Sequence, residues 1–153
     1  MARKIQIDLF DRIKKLDQDK LLREVWDDSL TQDYIIELNT IEQLFKESKK
    51  STGELLPAYA LNSYAAAKGS IGLAPSGLIN LRLSGDFYKS FDVIPNSTGF
   101  EINANTNLYP ESGDFIEIYG PEILGLTEES LQKLRLFVKD LLNEKIRLFL
   151  CME

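Results

Sequence analysis

Two short runs constrain this chain more than any other feature: Leu81-Arg-Leu-Ser-Gly-Asp-Phe-Tyr-Lys-Ser-Phe91 and Tyr119-Gly-Pro-Glu-Ile-Leu-Gly-Leu-Thr127. Each combines glycines, which let a backbone turn, with aromatic or branched side chains that must then be packed. Ser84 can cap a short helix that begins near Asp86, where an acid in the first turn complements the helix dipole. On that helix Phe87, Tyr88 and Phe91 share one side at three- and four-residue spacing. In the second run Gly120 precedes Pro121, and Leu124-Gly125-Leu126 leads to Thr127, the N-cap of a last helix. Glu128 and Glu129 fill its first turn, and Lys145 and Arg147 lie near its C-terminal end. Leu131, Leu134, Val138, Leu141 and Leu142 make its apolar stripe, which Phe137, Leu148, Phe149 and Leu150 widen. That stripe is broader than a coiled-coil seam, so it predicts packing onto a sheet or other helices.

The rest of the chain adds helices first and a hairpin later. Ile5, Leu9, Ile13, Leu16, Leu21, Leu22, Val25 and Trp26 have helical spacing. Asp17-Gln18-Asp19 either interrupts that helix or forms its polar face, and the alternation of Ile5 and Ile7 also allows a short leading strand. Asp27-Asp28-Ser29 offers caps for a second helix with Tyr34, Ile35, Leu38, Ile41, Leu44 and Phe45 as its stripe. Residues 49–53 read as a turn, and Ala58 to Lys68 as a short helix. Gly69, Gly72, Pro75 and Gly77 follow as an exposed loop. Ile79, Leu81 and Leu83 alternate with polar residues, which predicts a brief extended segment. Residues 91–94 and 99–104, joined by Pro95-Asn96-Ser97-Thr98, predict a β-hairpin. Phe115, Ile116, Ile118 and Tyr119 form either a third extended piece or a helical turn. The expected class is α+β: a small antiparallel sheet with a hairpin, packed by N-terminal helices and a long C-terminal helix, in one domain over residues 1–153.

Composition narrows the chemistry. Among 153 residues there is no histidine, which removes the commonest general base and metal ligand near neutral pH. The one cysteine, Cys151, excludes an internal disulfide or a CxxC motif. The formal net charge of −6 disfavours sequence-independent DNA binding. Lys46, Lys49 and Lys50 cluster, but Glu47 and Glu54 sit among them, as in a solvated loop. No run approaches the roughly 20 apolar residues of a membrane span, and no apolar segment follows the N-terminal basic residues.

Specific sites fare no better. The glycines of 69–77 match neither phosphate-loop spacing nor the dinucleotide fingerprint. Asp86, Asp114, Glu101 and Glu117 all have ordinary places, in a helix first turn, a turn and outward strand faces. An acid/base enzyme would instead require two of Asp86, Tyr88, Glu117 and Tyr119 to converge in a pocket. Asp17, Asp19, Asp27 and Asp28 lack the glycine and final glutamate of an EF-hand loop. The aromatics Phe87, Tyr88, Phe91 and Tyr119 have only Arg82 and Lys89 nearby, so core packing outweighs a stacking platform for nucleic acid. The expectation is no catalytic, cofactor or metal site.

Leu81-Arg-Leu-Ser-Gly-Asp-Phe-Tyr-Lys-Ser-Phe91 resembles the core motif of the tail-completion, or neck, proteins of tailed phages. The second run resembles that family's aromatic-Gly step and Ile-Leu-Gly-Leu-Thr opening of a C-terminal helix, here Tyr119-Gly120 and Ile123 to Thr127. Glu37 to Phe45 and the loop with Gly53 are also similar, so the resemblance spans residues about 35–150. Where relatives carry a basic segment, residues 68–79 are rich in Gly, Ala and Ser with only Lys68, and no DNA contact is carried over. The resemblance implies a non-enzymatic virion morphogenesis protein of a phage or prophage. It implies a ring of copies at the head–tail junction, with other neck or tail proteins as partners and room for DNA to pass. It implies neither a cofactor, a membrane nor sequence-specific nucleic acid, and places the protein in the host cytoplasm and then the virion. The expected contacts are the loops with Gly69, Gly72 and Gly77 and with Asn96 and Ser97, and the outer faces of the terminal helices.

Overall fold

The computed structural model describes residues 11–96 and 98–151. Ile5, Ile7, Leu9 and Ser97 lie outside them. Residues 11–14 are helical and end in a turn at Lys15. Asp17 then caps a separate helix, α1 (Gln18–Trp26), accepting from the Lys20 backbone N–H at 3.0 Å. The Asp-rich interruption therefore breaks the N-terminal helix, because an aspartate that bonds the backbone competes with continued winding.

Asp28 caps α2 (Ser29–Glu37), accepting from the Thr31 N–H at 3.1 Å. The chain continues without a break into a π-helical segment, Leu38–Glu47, whose backbone bonds skip one residue further than in an α-helix. Ser48 ends it in a left-handed conformation, φ 52°. Lys49 and Leu55 pair across the following turn, and Ala58 bridges to Leu78. The next helix, α3, runs Asn62–Ser70, four residues later than Ala58 suggests. Its start follows the bridge, which holds Ala58 extended.

The predicted extended segment at 79–83 is absent. Leu81 has φ 58°, incompatible with a strand, and Leu83 is exposed while Leu81 is buried. A short helix, α4 (Asp86–Lys89), follows Gly85, whose φ of 93° makes the turn. Ser84 Oγ accepts from the Asp86 N–H at 3.3 Å, as a cap one residue early. Strands β1 (Asp92–Asn96) and β2 (Gly99–Asn103) form an antiparallel hairpin with Val93 opposite Ile102 and Pro95 opposite Phe100. A proline is tolerated there because each strand of a two-stranded sheet has a free edge. Phe115–Tyr119 is a helix, α5, capped by Asp114 through the Ile116 N–H at 2.8 Å, so Glu117 sits on a helix rather than a strand. The last helix, α6, runs Glu128–Cys151, and Thr127 Oγ1 accepts from the Ser130 N–H at 3.2 Å. The architecture is α+β.

The buried side chains form two apolar clusters. Val25, Ile35, Leu38, Val93, Leu126, Leu134 and Val138 join α1, α2, the hairpin and α6. Leu44, Leu56, Leu81, Phe87, Phe91, Phe115 and Ile123 make the second, and Ile102 and Ile36 pack against both. Phe87 is the centre of the second, with its ring 5.1 Å from Phe91 and 5.0 Å from Phe115 in edge-to-face contact. Burying one such ring contributes about 1.5–3 kcal/mol. The far end of α6 departs from its expected inward stripe: Leu148 and Phe149 are exposed, 55% and 39%. Among the described residues no helix is long and apolar enough to cross a membrane.

Candidate functional site

The two motifs enter the structure by different routes. The second is latched by a pair of buried amides. Asn39 and Gln43 lie on the π-helical segment and are 0% and 1% exposed. Asn39 Nδ2 donates to the Ile123 carbonyl at 3.1 Å, and its Oδ1 accepts from the Gly125 N–H at 2.9 Å. Gln43 Nε2 donates to the Gly125 carbonyl at 3.0 Å, and its Oε1 accepts from the Thr127 N–H at 2.8 Å. Two side chains thus satisfy four backbone groups of the 123–127 segment, which buried in a loop would otherwise cost about 1–3 kcal/mol each. Gly125 has φ 143°, and a Cβ there would stand 3.0 Å from Ser51 Cβ, so glycine is required for this close approach. Leu124 packs on the aromatic cluster, and Leu126 is buried in the other.

The first motif surrounds Asn80, which is fully buried and engaged by every polar atom of its side chain. Its Nδ2 donates to the Leu73 carbonyl at 2.7 Å. Its Oδ1 accepts from Lys68 Nζ at 3.0 Å, the Tyr59 hydroxyl at 3.3 Å and the Arg82 N–H at 3.2 Å. Its backbone carbonyl accepts from the Tyr88 hydroxyl. The positive φ of Leu81 follows from this anchoring, and such strain persists only where surroundings over-determine it.

Lys68 is 7% exposed and its ammonium gives all three protons away: to Asn80 Oδ1, to the Tyr59 hydroxyl at 2.8 Å and to the Arg82 carbonyl at 2.7 Å. The nitrogen also lies 5.1 Å from the Tyr59 ring centroid and 5.9 Å from that of Tyr64. Burial pushes its pKa below the usual lysine value, opposed in part by Tyr64 and aided to a lesser degree by the Arg82 charge. Burial likewise holds the Tyr88 hydroxyl far above the ordinary tyrosine range, so near neutral pH it serves as a fixed donor.

Lys68 and Tyr59 floor a cleft of about 190 Å³ whose lining is completed by Tyr64, Ile79, Leu81, Arg82, Leu83, Ser112, Phe115 and Tyr119. Leu81, Arg82 and Leu83 from the first motif therefore meet Tyr119 from the second across one opening. The guanidinium of Arg82 stacks 4.8 Å over the Phe45 ring. Among the described residues neither Lys68 nor Arg82 is ion-paired with a carboxylate, whereas Lys46, Lys49 and Lys50 pair with Glu42, Glu47 and Glu54. Chemically the cleft is a small cationic socket with an aromatic wall and an apolar lip.

The other sequence-chosen residues are dispersed. Phe87, Tyr88 and Phe91 are core or half-buried beneath the cleft. Asp86 is exposed, its carboxyl held below the usual range by hydrogen bonds from Ser84 and then Lys89. Of Asp86, Tyr88, Glu117 and Tyr119, Tyr119 alone lines the cleft. Gly120 turns at φ 90° and Gly72 and Gly77 at φ 71° and 72°; Gly69, expected in the loop, lies instead within the last turn of α3. Asn96 is at the exposed hairpin tip, accepting from the Thr98 N–H at 3.0 Å. The residues that sequence reading missed are Tyr59, Lys68 and Asn80, and the amides Asn39 and Gln43. Only the last pair left a mark, polar residues at i, i+4 inside an apolar stripe. Comparison of the chain with protein-family models, with curated proteins and with solved structures returned no match.

Proposed function

We propose that this chain is a non-enzymatic structural protein of a tailed phage or prophage, acting in tail completion or head–tail joining as a ring in the assembled particle. It works with other neck or tail proteins, first in the host cytoplasm and then in the virion. The observation that carries this reading is the meeting of Leu81, Arg82 and Leu83 with Tyr119 at one cleft. Two separated stretches that resemble the neck-protein signature thus build one surface, with the second motif latched by Asn39 and Gln43. Further support is chemical. The chain has no histidine, Lys68 has no proton free, and Tyr88 is locked as a donor.

The test is deletion of the gene from its parent phage or prophage. The expected result is defective joining or unfinished tails, with the protein present in wild-type virions by mass spectrometry. Normal tailed particles from the deletion, together with absence of the protein from virions, would overturn the proposal.

A further inference from the structure

We propose that the Lys68–Arg82 cleft is a subunit socket that receives the exposed face of α2, formed by Leu30, Asp33 and Glu37, from a second copy of this chain. This rests on the assembly role proposed above and gives it a contact.

Charge is the first argument. The chain carries an excess of acid, yet it gathers two cations at one opening without a carboxylate among the described residues. Arg82 donates none of its five guanidinium N–H groups to a described residue, while Phe45 holds the plane in place. A preset, unpaired guanidinium is suited to bidentate capture of a carboxylate. Lys68 has no proton to offer, so its role is to add positive potential behind that fork.

Size and lip identify the occupant as a side chain on a protein. At about 190 Å³ the cleft falls below the roughly 300–1,000 Å³ usual for small-molecule pockets. Its rim leaves Leu83 55% and Tyr64 40% exposed. An exposed tyrosine beside an arginine matches the composition of protein contact centres, and Leu83 extends the apolar lip around them.

The complement is on the same chain. α2 (Ser-Leu-Thr-Gln-Asp-Tyr-Ile-Ile-Glu) has no lysine or arginine. Leu30, Asp33 and Glu37 follow at three- and four-residue spacing, on the side away from buried Thr31 and Ile35. Leu30 is the most exposed large apolar side chain among the described residues, at 69%. Neither Asp33 nor Glu37 is ion-paired among them. Leu30 would lie against Leu83 and Tyr64 while Asp33 meets Arg82. Because socket and knob are different surfaces, the contact is heterologous, the type from which rings are built.

Sedimentation equilibrium of the purified full chain, taken to about 1 mM, tests this, since contacts that act within a ring are individually weak. Wild type is expected to self-associate. Arg82→Glu and Asp33→Lys should each weaken association about ten-fold or more, and an equimolar mixture of the two variants should restore it. Lys133→Glu, on exposed α6, should leave it unchanged. Arg82→Gln, which keeps the stem over Phe45, replaces the reversal if circular dichroism shows Arg82→Glu unfolded. A chain monomeric throughout, association indifferent to Arg82, or a mixture that fails to restore it overturns the proposal. Deletion that abolishes joining while association ignores Arg82 would keep the assembly role and remove this contact. Normal particles with an Arg82-dependent association would do the opposite.

Discussion

The Asn39–Gln43 pair and the Lys68 ammonium are both buried polar devices, and both hold distant parts of the chain together. They differ in charge. The two amides are neutral, and each end of each amide meets one backbone group of the 123–127 segment. Their burial costs desolvation of neutral dipoles only, and the exchange of water for backbone partners is close to even. Lys68 is a cation whose three acceptors are all neutral, with Arg82 rather than a carboxylate nearby. Burying an ion without a counter-ion is far more costly. The difference separates a latch, fully explained by the fold that it closes, from a node whose charge exceeds what the fold requires. Surplus of that kind is where a surface function is to be sought.

The sharpest way to break the comparison is Gln43→Leu. It keeps the volume and apolar character of the site but strands the Gly125 carbonyl and the Thr127 N–H, the latter at the start of α6. The expected loss is about 2–4 kcal/mol of unfolding free energy, read by urea denaturation. A loss below about 1 kcal/mol would mean that the segment is satisfied in another way and that the latch is not one. Gly125→Ala attacks the same latch from the opposite side. The added methyl meets Ser51 Cβ at 3.0 Å, and Ser51 is fixed by its own N–H bond to the Glu122 carbonyl at 2.8 Å. With the positive φ added, a loss of about 2–3 kcal/mol is expected.

The latch and the node were unequally visible in the sequence. Signals that act within one turn of chain were readable: the caps Asp28 and Thr127, the helix after Gly85, and the apolar alternation of Phe91 with Val93 and of Phe100 with Ile102 that marks the hairpin. Each depends on residues that are neighbours in sequence. The π-helical winding of Leu38–Glu47 was not readable, because the contacts that accompany it are long-range, the amides reaching residues 82–86 positions away. The alternation at 79–83 misled for a related reason. Anchoring of Asn80 by Lys68, Tyr59 and Leu73 forces Leu81 to φ 58° and overrides the local pattern. Four of the ten residues that line the cleft, Leu81, Arg82, Leu83 and Tyr119, stood in the motifs. Its charged floor did not, since Lys68 in an Ala-rich helix looks like a surface residue.

Lys68→Met sharpens the charged side of the comparison. It strands the Arg82 carbonyl, but Asn80 Oδ1 keeps Tyr59 and the Arg82 N–H, and an uncompensated ion is removed. The net loss at pH 7 should be about 1 kcal/mol, below that for Gln43→Leu. The pH dependence carries more information. The folded pKa of Lys68 is lowered from 10.5, so the unfolded chain binds the extra proton between the two values. Stability from this group therefore rises with pH across that window. Urea titrations should show wild type gaining on Lys68→Met as pH climbs towards 10.5, with no such gain well below the folded pKa. A difference that stays flat over the alkaline range would mean that Lys68 is as well solvated folded as unfolded. Tyr88 moves wild type and variant alike in the other sense: its raised pKa gives stability that is complete below about pH 10 and lost above it.

Gly85→Ala should have the smallest effect, and its value lies in what it isolates. Gly85 and Gly125 both precede helices and both have positive φ, 93° and 143°. A Cβ on Gly85 meets nothing within 4 Å, unlike one on Gly125. The cost of alanine is then backbone strain alone, about 1–2 kcal/mol, less the 0.4–1 kcal/mol gained by restricting the unfolded chain. A net loss of about 0.5–1 kcal/mol follows, well under that for Gly125→Ala. Equal losses at the two positions would mean that Ser51 yields freely and that strain explains both glycines. A larger loss at Gly85 would show that this turn, which leads Leu81 and Arg82 into α4, holds the cleft open. It would then be the charged node, rather than the amide latch, whose geometry depends on a single residue.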